Sequence, residues 1–143
     1  MTPTANTPDA LDLDAFEDVQ SATCILKNPA TGAPTRATIL LAGPEHPARQ
    51  KIIMDRTRRI RATVRKTGKL DITDPLEDRD EETQYLAVCT LGWQGLTRAG
   101  ADLPYSVEAA AALYADPRRQ WLRAQVREAL DQVELFIGSS AAL

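Results

Sequence analysis

The chain has 143 residues, 43% of them hydrophobic and 26% charged, with a formal net charge of −3. A single domain of this length buries roughly 68–70% of its unfolded surface, so it needs neither a disulfide nor a metal to fold. No apolar run approaches the roughly 18–20 residues of a membrane span, and residues 1–6 have neither the basic nor the apolar region of a secretory signal, so no membrane association or secretion is expected.

Residues 1–18 carry five acids (Asp9, Asp12, Asp14, Glu17, Asp18) and no base, with Pro3 and Pro8 among them. That composition predicts a disordered acidic arm whose only apolar anchors are Leu11, Leu13 and Phe16. A single domain over 19–137 and a flexible tail over 138–143 complete the expected organisation. Residues 19–27 and 35–42 are β-favouring runs separated by Asn28-Pro29-Ala30-Thr31-Gly32-Ala33-Pro34, a set of turn residues that predicts a hairpin with a longer loop. Gly43-Pro44 ends the second strand, and a helix is predicted from Pro47 to Lys66, stopped by Gly68. Its Ile52, Ile53, Thr57, Ile60 and Val64 fall on one stripe, expected to face the core, with Lys51, Arg58, Arg61, Arg65 and Lys66 on the opposite arc.

Charge is sorted into blocks. Residues 49–69 hold nine bases against the single acid Asp55, and residues 71–82 reverse this with seven acids against Arg79. Residues 70–75 read as a connector. A second helix is predicted over 78–91, with Leu86, Cys89, Thr90 and Trp93 at helical spacing and Gly92 and Gly95 closing it. Residues 94–105 read as loop. Ser106 is a plausible N-cap for a short helix over 107–115. Asp116-Pro117 then opens a last helix reaching Phe136, whose core stripe is Leu122, Val126, Ala129, Leu130, Val133 and Phe136. Trp121 falls off that stripe, divided evenly between core and interface. The expected fold class is α+β, an N-terminal β-hairpin packed against three to four α-helices.

Little here points to catalysis. His46 is the only histidine and cannot supply two metal ligands or a base with its partner. The acids Asp71, Asp74, Glu77, Asp78, Asp80, Glu81 and Glu82 lack the spacing of a calcium loop, and acids are ordinary in the first turn of a helix. Gly92, Gly95 and Gly100 follow a predicted helix rather than a strand, the wrong context for a phosphate loop. Catalytic, cofactor and metal sites are therefore expected to be absent. Cys24 and Cys89 lie in apolar segments and read as reduced core thiols of a cytosolic protein.

The basic helix is the strongest feature. Nine bases in 21 residues resemble a phosphate-contacting surface. The acidic net charge, the acidic block downstream and the lack of any aromatic between residues 17 and 84 argue against nucleic acid, because stacking groups and bases are not interleaved. Pairing within the chain, between subunits or with a protein partner fits better. The candidate partner-binding residues are Arg58, Arg61 and Arg65 on this helix, with Trp93, Tyr105 and Trp121 from the aromatic-rich second half. Of these, Trp93 is expected chiefly in the core.

Several segments in order resemble the tail assembly chaperones of long-tailed phages and prophages. They are Thr31-Gly32-Ala33-Pro34, the strand end Leu41-Ala42-Gly43-Pro44-Glu45-His46-Pro47, Cys89-Thr90-Leu91-Gly92-Trp93-Gln94-Gly95, Leu103-Pro104-Tyr105-Ser106, Leu113-Tyr114, and Asp116-Pro117 with Trp121-Leu122-Arg123 and Gln125-Val126. Together they span roughly residues 23–137, and Ala109 stands where the pattern has Asn. The resemblance implies a non-enzymatic protein of the bacterial host cytoplasm, without cofactors. It would bind and solubilise the tape measure protein and promote assembly of the tail tube protein. The charge blocks, by pairing between subunits, leave a homo-oligomer open. The alternative is a small phage nucleic-acid-binding protein using the basic helix 49–66.

Overall fold

The computed structural model describes residues 10–68 and 75–139. Strands β1 (Phe16–Asp18), β2 (Ser21–Lys27) and β3 (Pro34–Ala42) lead to helices α1 (Pro47–Thr67) and α2 (Pro75–Cys89). Then come β4 (Thr90–Gln94), β5 (Thr97–Arg98), β6 (Ala101–Asp102), α3 (Val107–Ala115), α4 (Gln120–Asp131) and β7 (Ile137–Ser139). The fold is α+β.

β3 is the centre of an antiparallel sheet in the order β2-β3-β4, pairing Cys24 with Ile39 and Ile39 with Trp93. Period-2 alternation sorts its faces. Cys24, Leu26, Ile39 and Leu41 are buried, while Ile25 and Leu40 are exposed. The hairpin loop forms as expected: Asn28 Oδ1 accepts from the amides of Ala30 (2.8 Å) and Thr31 (3.3 Å), and Gly32 takes φ +76°.

Against the buried face pack Leu86 and Cys89 of α2, Ala110, Leu113 and Tyr114 of α3, and Leu122, Val126, Ala129 and Leu130 of α4. Gln125 ties α4 to β2 in both directions, its Oε1 accepting from the Lys27 amide (2.8 Å) and its Nε2 donating to the Lys27 carbonyl (2.9 Å). Tyr114 is fully buried, and its hydroxyl shares a 2.7 Å hydrogen bond with Thr90 Oγ1, so the phenol gains a partner where water cannot reach. Ser106 caps α3 as predicted, accepting from the Ala109 amide at 2.9 Å.

Four expectations change. The second helix stops at Cys89, and Thr90–Gln94 becomes the third strand of the sheet. Thr90 and Gly92 weaken a helix there, and the free edge of β3 supplies the ladder instead. Residues 94–105 are not all loop: β5 and β6 form a small hairpin through Ala99 and Gly100, both at positive φ. The last helix ends at Asp131, and a 3₁₀ turn over Val133–Phe136 buries Phe136 while leaving Val133 in solvent. Finally, the acidic arm is ordered at its end, because β1 pairs antiparallel with β7 (Glu17 opposite Gly138). The domain thus begins before residue 19 and includes residues 138 and 139; residues 1–9, 140–143 and most of the 70–75 connector lie outside the described residues.

Candidate partner-binding surfaces

Helix α1 is delimited by the residues that predicted it. His46 Nδ1 accepts from the Ala48 amide (3.1 Å), Pro47 occupies the first turn, and Gly68 closes the helix at φ +69° with its amide donating to the Val64 carbonyl (2.7 Å). His46 is therefore a helix cap.

The helix has one buried residue, and it is an arginine. Arg49 is 8% exposed; its Nε donates to the Tyr85 hydroxyl (2.9 Å), and its two terminal nitrogens donate to the carbonyls of Ala42 (3.1 Å) and Leu130 (2.9 Å). The guanidinium carbon lies 5.6 Å from the centre of the Phe136 ring. This arginine joins the end of β3, α2, the end of α4 and the last 3₁₀ turn. It belongs to the core and not to the basic surface.

Beyond this anchor α1 leaves the core. Every residue from 56 to 68 is exposed, including those of the stripe expected to be inside. Ile53 is 41% exposed, Ile60 44% and Val64 38%. The periodicity is present, but the sheet and the other three helices enclose the core by themselves; α1 is buried there through Arg49 and further along meets α2 through Arg56 and Arg59. Beside the stripe runs a trough of about 730 Å³ between α1 and α2, whose lining includes Ile53, Ile60, Tyr85 and Leu130.

The charge blocks partly pair across this trough. Glu81 of α2 meets both Arg56 (3.3 Å) and Arg59 (3.5 Å), and Glu82 meets Arg127 of α4 (3.2 Å). Solvent-exposed pairs of this kind contribute about 0–1 kcal/mol each, so they orient α1 more than they hold it. Arg58 lies at 4.0 Å from Asp55 on its own helix, and Arg61 and Arg65 form no ion pair among the described residues. The three expected arginines therefore do share one exposed face of α1.

The aromatic candidates separate. Trp93 and Tyr105 are half-buried and meet edge to face with ring centres 5.0 Å apart. Trp93 Nε1 donates to the Leu103 carbonyl (2.8 Å) and the Tyr105 hydroxyl to the Thr90 carbonyl (2.8 Å), so both fasten β4 to the segment before α3. Trp121 is 37% exposed and borders a separate cleft of about 320 Å³ with Leu96, Leu103 and Leu122 in its lining and Arg98 and Arg119 beside it. Among the described residues, Trp121 lines a cleft apart from the troughs along α1. Local spacing does not mark Tyr85 as a trough residue, since α2 meets α1 only in the folded chain.

Cys24 and Cys89 are free and buried as expected. Burial pushes the Cys89 thiol up to about 11, against the opposing pull of Arg49 and a hydrogen bond with Tyr85. Burial likewise raises Cys24. Such thiols are poor nucleophiles at neutral pH. Among the described residues no group of three or more His, Cys, Asp and Glu could hold a metal ion, and no helix is long and apolar enough to cross a membrane. Comparison with protein-family models, curated proteins and solved structures finds no match to this chain.

Proposed function

We propose that the protein is a non-enzymatic phage tail assembly chaperone that binds the tape measure protein, keeps it soluble and promotes tail tube assembly in the host cytoplasm. The observation that carries this reading is the apolar stripe of Ile53, Ile60 and Val64, left in solvent on a helix rich in arginine. The closed core has no internal need for such a face, and exposed apolar surface of this kind marks an interaction site. A tape measure protein presents long apolar helical stripes before the tube encloses it, and such stripes aggregate unless covered. Several copies along one partner, with or without contact between copies, would provide that cover. The segments resembling the tail chaperones supply the choice of partner.

Co-expression with the tape measure protein of the same genome tests the proposal. The expected result is a soluble complex; a tape measure protein that stays insoluble overturns it. The exposed Arg58, Arg61 and Arg65 also suit phosphate, so duplex DNA titration belongs beside it. Binding tighter than about 10 μM at physiological salt, with log affinity falling at a slope near −0.9 per neutralised phosphate, would favour the nucleic-acid reading instead.

A further inference from the structure

Ile53, Thr57, Ile60 and Val64 succeed one another at intervals of four, three and four residues. That is the spacing of a coiled-coil seam, and it is exposed along its length. Thr57 satisfies its hydroxyl within the helix, donating to the Ile53 carbonyl at 3.0 Å. The seam spans about 16 Å of helix, somewhat less than two heptads. The adjoining trough is lined by the half-buried Tyr85 together with Arg56, Arg59, Glu81 and Glu82.

Charge narrows the occupant. Arg56 and Arg61 lie on opposite edges of the seam, with Arg58 and Arg65 further round from Arg61. Glu81 is shared between Arg56 and Arg59, and Lys51, Arg61, Arg65 and Lys66 make no ion pair among the described residues. A second α1 laid on the first would bring arginine rows together, which disfavours self-pairing through this face. Glu81 already meets the row on the Arg56 edge, so the row left to a partner is that of Arg61, Arg65 and Arg58, and a helix with acids bordering its apolar stripe would neutralise it.

We propose that the α1 seam and its trough dock an acidic amphipathic helix of the partner, packed lengthwise against α1 in coiled-coil fashion. The inference rests on the chaperone reading and deepens it: the part of the tape measure protein held here would be an apolar helical stripe bordered by Asp and Glu.

Two synthetic peptides of about four heptads, with Leu and Ile at the seam and either Glu or Lys on both edges, provide the probe. Titrated against the full chain by fluorescence anisotropy, the Glu peptide should bind at least about tenfold tighter than the Lys peptide. The double variant Ile53→Ser/Ile60→Ser should lose about tenfold or more of that affinity with its circular dichroism and Tm unchanged, since both side chains are exposed. Arg56→Glu/Arg61→Glu should reverse the preference toward the Lys peptide. Equal binding of the two peptides, no binding of either, or undiminished binding by the serine variant overturns the inference. So does self-association of the chain that is abolished both by deleting residues 1–15, which spares β1, and by the serine variant, because the acidic arm of a second copy would then be the occupant. Rescue of the tape measure protein by the serine variant would remove this surface while leaving the chaperone role intact. Peptide selectivity as expected, with no rescue by the wild-type chain, would sink the chaperone role and leave the docking surface standing.

Discussion

At the start of α1, Arg49 donates to the Ala42 and Leu130 carbonyls and to Tyr85, and lies over Phe136. Three turns later Arg58, Arg61 and Arg65 stand in solvent on the same helix. One residue type thus does two jobs. Inside, the planar guanidinium with its five donors satisfies main-chain oxygens that water cannot reach, a task for which lysine has the wrong shape. Outside, the same group keeps an apolar stripe hydrated and selects the charge of whatever covers it. What separates the jobs is the rest of the fold, which surrounds the first turn and not the remainder.

Breaking the buried end should have the largest effect. Arg49→Ala removes donors from two carbonyls and vacates a well-packed site, and should cost about 3–5 kcal/mol in urea unfolding. Arg49→Lys should recover less than half of that loss. Leu86→Ala, which touches the core away from α1, should cost about 2–4 kcal/mol, and its double mutant with Arg49→Ala will show whether anchor and core are coupled.

Alkaline pH offers a further probe of the same interior. The folded state holds Cys89 at about 11, above its ordinary value near 9, by burial. The unfolded chain therefore loses this proton first. Stability from this group is complete below pH 9 and is lost as pH rises from 9 toward 11, a decrease of about 2–3 kcal/mol that Cys89→Ala should remove from the pH profile. Burial also raises the phenol of Tyr114, which acts in the same direction above pH 10. Native-state alkylation of both cysteines at pH 7 should be slow and limited by unfolding.

Ser106→Ala sharpens the scale, since loss of one helix cap should cost about 1 kcal/mol. The exposed end should respond least. Arg58→Glu/Arg61→Glu/Arg65→Glu should change stability by no more than about 0.5 kcal/mol per site, yet weaken rescue of the tape measure protein. If that triple variant unfolds the chain, the contrast between the two ends of α1 is mistaken.

Local signals were legible from sequence alone wherever chemistry acts within a few residues. The first hairpin and its Asn28–Gly32 loop, the extent of α1 between His46 and Gly68, the Ser106 cap and the core stripe Leu122, Val126, Ala129 and Leu130 all follow from short-range spacing. The exposed face of Arg58, Arg61 and Arg65 follows in the same way. Thr90–Gln94 did not, because its choice between helix and strand depended on an open edge of β3, and Phe16–Asp18 could not pair without Ile137–Ser139 being brought to it.

Amino-acid order by itself therefore determined the class of the fold, the caps and the sorting of charge, each a matter of periodicity or composition. Only the tertiary structure decided which amphipathic face is inside. The spacing of Ile53, Ile60 and Val64 declares an apolar stripe, as that of Leu122, Val126 and Leu130 does, and no local energy distinguishes them. The difference arises because burial is settled by what lies opposite. The sheet closes over α4, the first turn of α1 is used up in holding Arg49, and residues 56–68 of α1 are left exposed where a core would have been.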